Sequence, residues 1–244
     1  MTTQKKIDKA KNSDAEGIGK RIKSGPSGDV TTSTQPPQSN IESPSAYDIF
    51  LKTIKRANNL VDTHKEGEEC CEEHLDSFRA AVVLSISALD AYTRTLVIEK
   101  ILVQLSEPSK EIPEKLKIYI KGLLNQDALL EAGRKYQFKE KVEKSIRADF
   151  ETKSFQGEYK IDFYMELAGY KNIFEKVTHS ANKSESRLRA DIEKYTKRRH
   201  VIAHCGDYDL TQIPHTEKDI DKEFAKHCIE IVIVFAEHLN KVTK

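Results

Sequence analysis

Arg199 and His204 lie five residues apart in KRRHVIAHCGDYD, residues 197–209, a stretch that also contains Arg198 and His200. A guanidinium can hold a phosphate through paired hydrogen bonds, and an imidazole can transfer protons near neutral pH. Together these groups can support RNA cleavage. The substrate's 2′-hydroxyl attacks the neighbouring phosphorus, and the arginine stabilises the charge that develops on the phosphorane. This chemistry requires no cofactor.

A zinc site is an alternative interpretation of the same histidines. His200 and His204 are four residues apart and share one helix face, a spacing that suits zinc. The metalloprotease pattern H-E-x-x-H needs a glutamate as general base, however, and Val201 stands in that place. Cys205 is not part of a second ligand pair, and the four cysteines show no C-x-x-C spacing. We therefore expect no metal and no cofactor, and we expect the cysteines to be reduced thiols.

Several neighbouring residues could support this chemistry. Arg198, Lys197 and Lys194 form a basic patch that could bind an RNA backbone or could be a solvated helix face. Arg198 also offers an alternative pairing with His204. Asp90, with Arg94 one turn later in an apolar helix, could orient the arginine or histidine, or could form an i,i+4 ion pair with a structural role only.

The periodicity of apolar residues predicts that helices position these groups. Helical spacing begins at Tyr47, and an apolar-rich stretch at about 74–104 predicts a central core helix. Shorter helices are predicted at 113–131, 135–150 and 160–178. The helix that carries Arg199 and His204 has Asn182 or Ser184 as N-cap and ends at Gly206. Thr216 with Asp219 resembles the N-terminal cap of a final helix, and nothing resembles a sheet, so the fold class is all-α.

Composition restricts where the chain could bind RNA. Its 244 residues include 40 basic and 39 acidic side chains, so an RNA contact must be a local patch. Residues 1–44 are basic and rich in Ser, Thr and Pro, which predicts a disordered tail before a helical domain at 45–244. The chain has no signal-like apolar run and no stretch of about 18 uninterrupted apolar residues. We expect a cytoplasmic protein without a membrane partner.

The stretch Arg199-His200-Val201-Ile202-Ala203-His204 resembles the R-(polar)-x-x-x-H signature of HEPN domains. LSISALDAYTRTLVIEKI at 84–101 and RHVIAH at 199–204 are most similar to the RiboL-PSP-type HEPN group, over roughly 46–242. The resemblance implies a HEPN-like helical bundle and a metal-independent endoribonuclease, with Arg199 and His204 catalytic and His200 supporting. It further implies a conflict system, in which the protein is a toxin with an antitoxin partner or an antiphage effector.

The spacing of the two motif residues bears on assembly. On an ideal helix, Arg199 and His204 are about 7.5 Å apart along the axis and about 140° apart in rotation. A site that uses both is a cleft beside the helix end, and in HEPN relatives two chains bring two such helices together. We therefore expect a homodimer. The rival hypothesis is a non-catalytic module that binds a nucleotide, RNA or a partner protein in the same groove.

Overall fold

A computed structural model of the chain describes residues 44–65, 69–107, 109 and 111–244. The described residues belong to one compact unit. The predicted tail, apart from its last position, lies outside the described residues. Within the described residues the chain is helical, with one short hairpin as its only β-structure, so the predicted all-α class is confirmed.

The helices follow one another through short connections. Their bounds are α1 Ala46–Asp62, α2 Glu72–Ser106, α3 Glu114–Leu123, α4 Gln126–Arg134, α5 Phe138–Glu151, α6 Glu158–Leu167, α7 Ile173–Ala181, α8 Glu185–Cys205 and α9 Lys222–Val242. Between α8 and α9, β1 Tyr208–Asp209 pairs antiparallel with β2 Thr216–Glu217.

Helix α2 is the centre of the bundle. It has 35 residues, extends two residues beyond each end of the predicted 74–104, and packs against α1, α5, α6, α8 and α9. Ala81, Ile86 and Leu89 on this helix are completely buried. By length and composition α2 could cross a membrane, but 61% of its most apolar window is buried inside the fold. We interpret α2 as the core helix that its sequence predicts.

Two predicted helices are each divided in two. The segment 113–131 breaks between α3 and α4 because the Asn125 side chain accepts a hydrogen bond from the Ala128 N–H (2.8 Å) and starts a new helix. The segment 160–178 breaks between α6 and α7. Gly169 there has a φ of +86°, and a Cβ at this position would come within 2.5 Å of Gln104 Nε2. The turn therefore requires glycine.

The cap predicted for the last helix is wrong. Thr216 lies in β2, and α9 begins at Lys222 with Asp221 as its N-cap. The Asp221 carboxylate accepts a hydrogen bond from the Phe224 N–H (2.7 Å). The prediction that no strand forms is also wrong. Two strands of two residues each form a hairpin, and Thr216, the residue predicted as the cap, pairs with Asp209 in it.

The packing of α8 leaves its C-terminal end available. Its fully buried residues are Leu188, Ile192 and Tyr195, all in the first half of the helix. Tyr195 packs edge-on against Phe224 and pairs with Nδ1 of His227, both on α9. Burial raises the pKa of the Tyr195 phenol, which stays neutral in this contact. Beyond Tyr195 the helix continues for ten residues to Cys205 with no fully buried side chain.

Candidate functional site

Local capping fixes where α8 begins and ends. The Ser184 side chain accepts a hydrogen bond from the Arg187 N–H (3.5 Å), so Ser184 is the N-cap and Asn182 is not. Gly206 ends the helix with a φ of +58°, as predicted. Arg199 to His204 therefore occupy the last two turns of α8, immediately before the turn into the hairpin.

His200, Ala203 and His204 form one exposed stripe on this end of α8. The two imidazole rings lie 4.4 Å apart between centroids, at an angle of 46°. Within the part of the chain that the structure describes, neither ring has a hydrogen bond or an ion pair. Both rings are exposed, and the Ala203 side chain on the same stripe is only a methyl group, so a ligand or a second chain can approach them.

Arg199 is half-buried and has no internal counter-charge. Its Nε is shielded from solvent without a hydrogen-bond partner, and its guanidinium makes no ion pair among the described residues. A shielded polar atom without a partner loses its hydration with no protein contact in return, and Nε of Arg198 shares this condition. Arg199 differs from Arg198 in that its terminal nitrogens also make no ion pair among the described residues. An anion bound beside α8 could supply that missing contact.

Arg198, one residue earlier, has internal partners. Its side chain is 14% exposed, and Nη2 donates to the carboxylate of Asp207 (2.6 Å) and to the carbonyl oxygens of Lys218 (3.1 Å) and Asp219 (2.9 Å). These bonds connect the end of α8 to the segment before α9. These contacts, all made by Nη2, favour a structural role for Arg198 over the alternative pairing with His204.

Asp207 is the centre of this ion-pair cluster. It is fully buried, with a φ of +66°, and it also accepts a hydrogen bond from Nε of Arg79 on α2 (3.0 Å). Arg79 further pairs with the more exposed Glu217 (2.9 Å) and Asp76 (3.3 Å). This cluster could not be predicted from the sequence. Its sequence signals are an arginine in the apolar helix α2, which also contains Arg94, and an aspartate directly after a helix-ending glycine.

A shallow groove of about 240 Å³ lies along the adjacent face of α8. Its lining is cationic and apolar, with no carboxylate: Lys194, Lys197, Arg198, Val201, Lys218 and Phe224. The ammonium of Lys194 lies 4.8 Å from the centre of the Phe224 ring, and Lys197 pairs with Glu193 (3.3 Å) while its side chain stays 74% exposed. Lys197 is three residues before His200 on the helix, so the groove and the exposed histidine stripe are neighbours.

Asp90 has partners elsewhere in the bundle. Its carboxylate bonds to Arg94 (2.5 Å) and accepts hydrogen bonds from the Phe155 N–H (2.7 Å) and the Ser154 hydroxyl (3.4 Å). Neither Arg199 nor His204 is among these partners. These contacts favour the structural interpretation of the Asp90–Arg94 pair, which fastens the loop after α5 to the core helix.

The histidine pair lacks the further ligands of a zinc site. Of the residues described, no third His, Cys, Asp or Glu side chain joins His200 and His204 in a group that could hold a metal ion. Cys205 is a free, half-buried thiol beside them. What the arrangement offers is two exposed imidazoles, one unpaired guanidinium and a neighbouring cationic groove, a set suited to a phosphodiester.

Comparison with known families agrees with this architecture. The sequence profile of the RiboL-PSP-HEPN family matches residues 48–243, which cover α1 to α9 except for two residues at the start of α1. No curated protein and no solved structure gives a significant match. Because the match extends over most of the chain and over all the helices that position the candidate site, the chain belongs to the HEPN superfamily, as a member of its RiboL-PSP group.

Proposed function

We propose that this HEPN domain is a metal-independent endoribonuclease whose site is formed by Arg199 and His204. The observation that carries the proposal is the contrast between two adjacent arginines. Arg198 is held by Asp207 and two carbonyl groups, whereas Arg199 makes no ion pair among the described residues. It lies on the same end of α8 as the two exposed imidazoles, although on another side of the helix. A guanidinium left without a counter-charge near proton-transfer groups is suited to a phosphate ligand.

The proposed reaction is an internal transesterification. The ribose 2′-oxygen forms a bond to the adjacent phosphorus as its proton passes to an imidazole, and the bond from phosphorus to the 5′-oxygen breaks as that oxygen takes up a proton. His204 carries out proton transfer, and Arg199 binds the non-bridging oxygens as negative charge develops on them. His200 supports His204 through the contact between their rings, and the products are a 2′,3′-cyclic phosphate and a 5′-hydroxyl.

The groove beside α8 is the proposed path of the RNA backbone. Lys194 and Lys197 are exposed there, and they supply charge where neighbouring phosphates would lie. The Phe224 ring offers an apolar surface next to them. Arg198 contributes charge to the wall of the groove, but its guanidinium is committed to Asp207.

Incubating the purified protein with mixed RNA in EDTA tests the proposal. RNA fragments that increase with time support the nuclease. RNA that binds the protein but stays uncut favours the rival, a HEPN module that binds nucleic acid without catalysis. Circular dichroism of the same sample checks that the helices are intact in EDTA. Cleavage that appears only after addition of a divalent ion contradicts the proposed mechanism.

We further propose that the active species is a homodimer in which two α8 ends face one groove. The exposed stripe of His200, Ala203 and His204 leaves space for a second chain, and Arg199 lies on another side of the same helix. Ala203→Glu places a charged side chain in that contact without disturbing the core. We expect this variant to be a folded monomer that has lost cleavage, because the second chain's phosphate contacts are absent.

Light scattering after size exclusion, with a cleavage assay on the same fractions, measures this prediction. Ala148→Glu is the matched control, since Ala148 is an exposed alanine on α5. The control is expected to keep the mass and the activity of the wild type. A monomeric Ala203→Glu protein that cleaves RNA at the wild-type rate contradicts the shared site.

The biological setting that we propose is the one implied by the family resemblance, a cytoplasmic toxin restrained by an antitoxin or an antiphage effector with its own partner. A metal-independent ribonuclease is active as soon as it folds and meets RNA, so uncontrolled expression would damage the RNA of the cell. Expression in bacteria should therefore slow growth, and His204→Ala should relieve the effect at equal protein level. Equal toxicity of both forms contradicts this assignment.

A further inference from the structure

A second group of chemically reactive side chains lies at the junction of α1 and α2, away from the motif of α8. It comes from HKEGEECCEEH, residues 64–74. His64 follows the end of α1, Cys70 and Cys71 precede α2, and His74 lies in the first turn of α2. The packing of α1 against α2 brings the end of one helix close to the start of the other.

The distances within this group are close to those of a metal site. The ligand atoms of His64, Cys70 and His74 all lie within 4.8 Å of one another, and the two imidazole rings are 4.8 Å apart between centroids. Two ligands on a tetrahedral zinc ion are about 3.5 Å apart, given bonds of about 2.0 to 2.3 Å. Cys70 is exposed, so rotation of its side chain can close the remaining gap of about 1 Å.

Cys71 lies beside this group of three, next to His74, and is the candidate for a fourth ligand. It is the N-cap of α2, and its sulfur lies 3.1 Å from Nδ1 of His74. Its backbone N–H also donates to that nitrogen (3.4 Å), a long hydrogen bond that Nδ1 must give up in order to coordinate an ion. A helix cap of this kind is ordinarily built from Ser or Thr with Glu or Gln. Here Cys71 is the N-cap and His74 is at N3, so two side chains that can bind zinc stand where a hydroxyl and a carboxylate are usual.

Surrounding contacts hold the site in position. Lys222, the first residue of α9, donates a hydrogen bond to the carbonyl oxygen of His64, and the His64 ring lies edge-on to Phe78 (5.9 Å). Glu72 and Glu73 are exposed beside the cysteines and add negative charge that attracts a cation. The ligands thus connect α1 to α2 at a place already fastened to α9.

We propose that His64, Cys70, Cys71 and His74 bind one zinc-type divalent ion in a tetrahedral S2N2 site. Both thiols lose their protons to the solvent as the ion binds. The metal has a structural role, fixing the junction of α1 and α2. This proposal departs from the expectation that the chain holds no metal, which rested on the absence of C-x-x-C spacing. It is independent of RNA cleavage, because no ligand lies on α8.

Cobalt(II) titration of the reduced, metal-free full-length protein tests the site. We expect one cobalt per chain, strong near-ultraviolet absorption from the two sulfur ligands, and visible bands of a tetrahedral ion that disappear when zinc is added. Cys70→Ser should lower the affinity by more than about 100-fold, since loss of even an outer-shell contact costs about 10- to 100-fold. Zinc should raise the melting temperature of the wild type but not of Cys70→Ser.

Cys205→Ser is the matched control, because Cys205 is a free thiol outside the group. It should bind cobalt as the wild type does. Cys70 is exposed and precedes α2, so its replacement does not affect the core. Weak visible bands of a six-coordinate ion, the absence of sulfur-to-cobalt absorption, or equal affinity in Cys70→Ser and wild type would each overturn the proposal.

Discussion

His204→Ala is expected to lower the rate of RNA cleavage by about 10²- to 10⁴-fold, the range for loss of a general acid or base. His204 is exposed, and its ring contact among the described residues is with the exposed His200, so its replacement leaves the buried packing of α8 unchanged. The effect should therefore be on the rate and not on stability. Initial rates on one RNA in EDTA, with melting curves of both proteins, measure the two quantities.

His179→Ala serves as the control for this prediction. His179 is also an exposed histidine near the end of a helix, in the last turn of α7. Its replacement should leave cleavage unchanged. A His204→Ala protein that cleaves at the rate of the His179→Ala protein would remove His204 from the proposed mechanism.

Asp207→Asn is expected to lower the free energy of unfolding by about 3 to 5 kcal/mol, the usual cost of breaking a buried ion pair. The Asp207 side chain has no exposed surface, and its partners Arg79 and Arg198 are 11% and 14% exposed. Without the shared carboxylate, two mostly buried guanidiniums lose their common counter-charge. Asparagine has nearly the same shape and tolerates the positive φ, so the change tests the charge rather than the backbone.

Urea denaturation followed by circular dichroism measures the change in stability. Asp76→Asn is the matched control, since Asp76 pairs with the same Arg79 (3.3 Å) but its side chain is 77% exposed. Its replacement should cost about 0.5 kcal/mol or less. Equal effects from the two substitutions would show that the buried cluster does not hold the end of α8.

The sequence carried strong local signals for two helices and for the motif. The apolar density of α2 and the capping residues Ser184 and Gly206 are properties of neighbouring residues, so the centre of the fold and both ends of α8 could be predicted from them. The divisions after Leu123 and Leu167 could not be predicted, because periodicity continues across a short turn. The first turn depends on the Asn125 cap of α4, and the second depends on Gly169, which lies close to Gln104.

The difference between Arg198 and Arg199 could not be read from the sequence. Both are adjacent arginines on one helix, and only long-range contacts distinguish them. The carboxylate that binds Arg198 follows the turn after α8, and its second partner, Arg79, is 128 residues away along the chain. The same reason applies to Asp90, whose contact with Phe155 spans 65 residues and favours a structural role.

The chemical ends of the RNA products test the central claim most directly. Wild-type protein in EDTA, incubated with an RNA of defined sequence, should produce fragments with a 5′-hydroxyl and a 2′,3′-cyclic phosphate or the 3′-phosphate that forms from it. These ends form only if the ribose hydroxyl is the nucleophile. The His204→Ala protein should produce them much more slowly than the wild type. Mass spectrometry of the fragments distinguishes the ends. Fragments with a 3′-hydroxyl, or cleavage that requires a divalent ion, would contradict the mechanism assigned to Arg199 and His204.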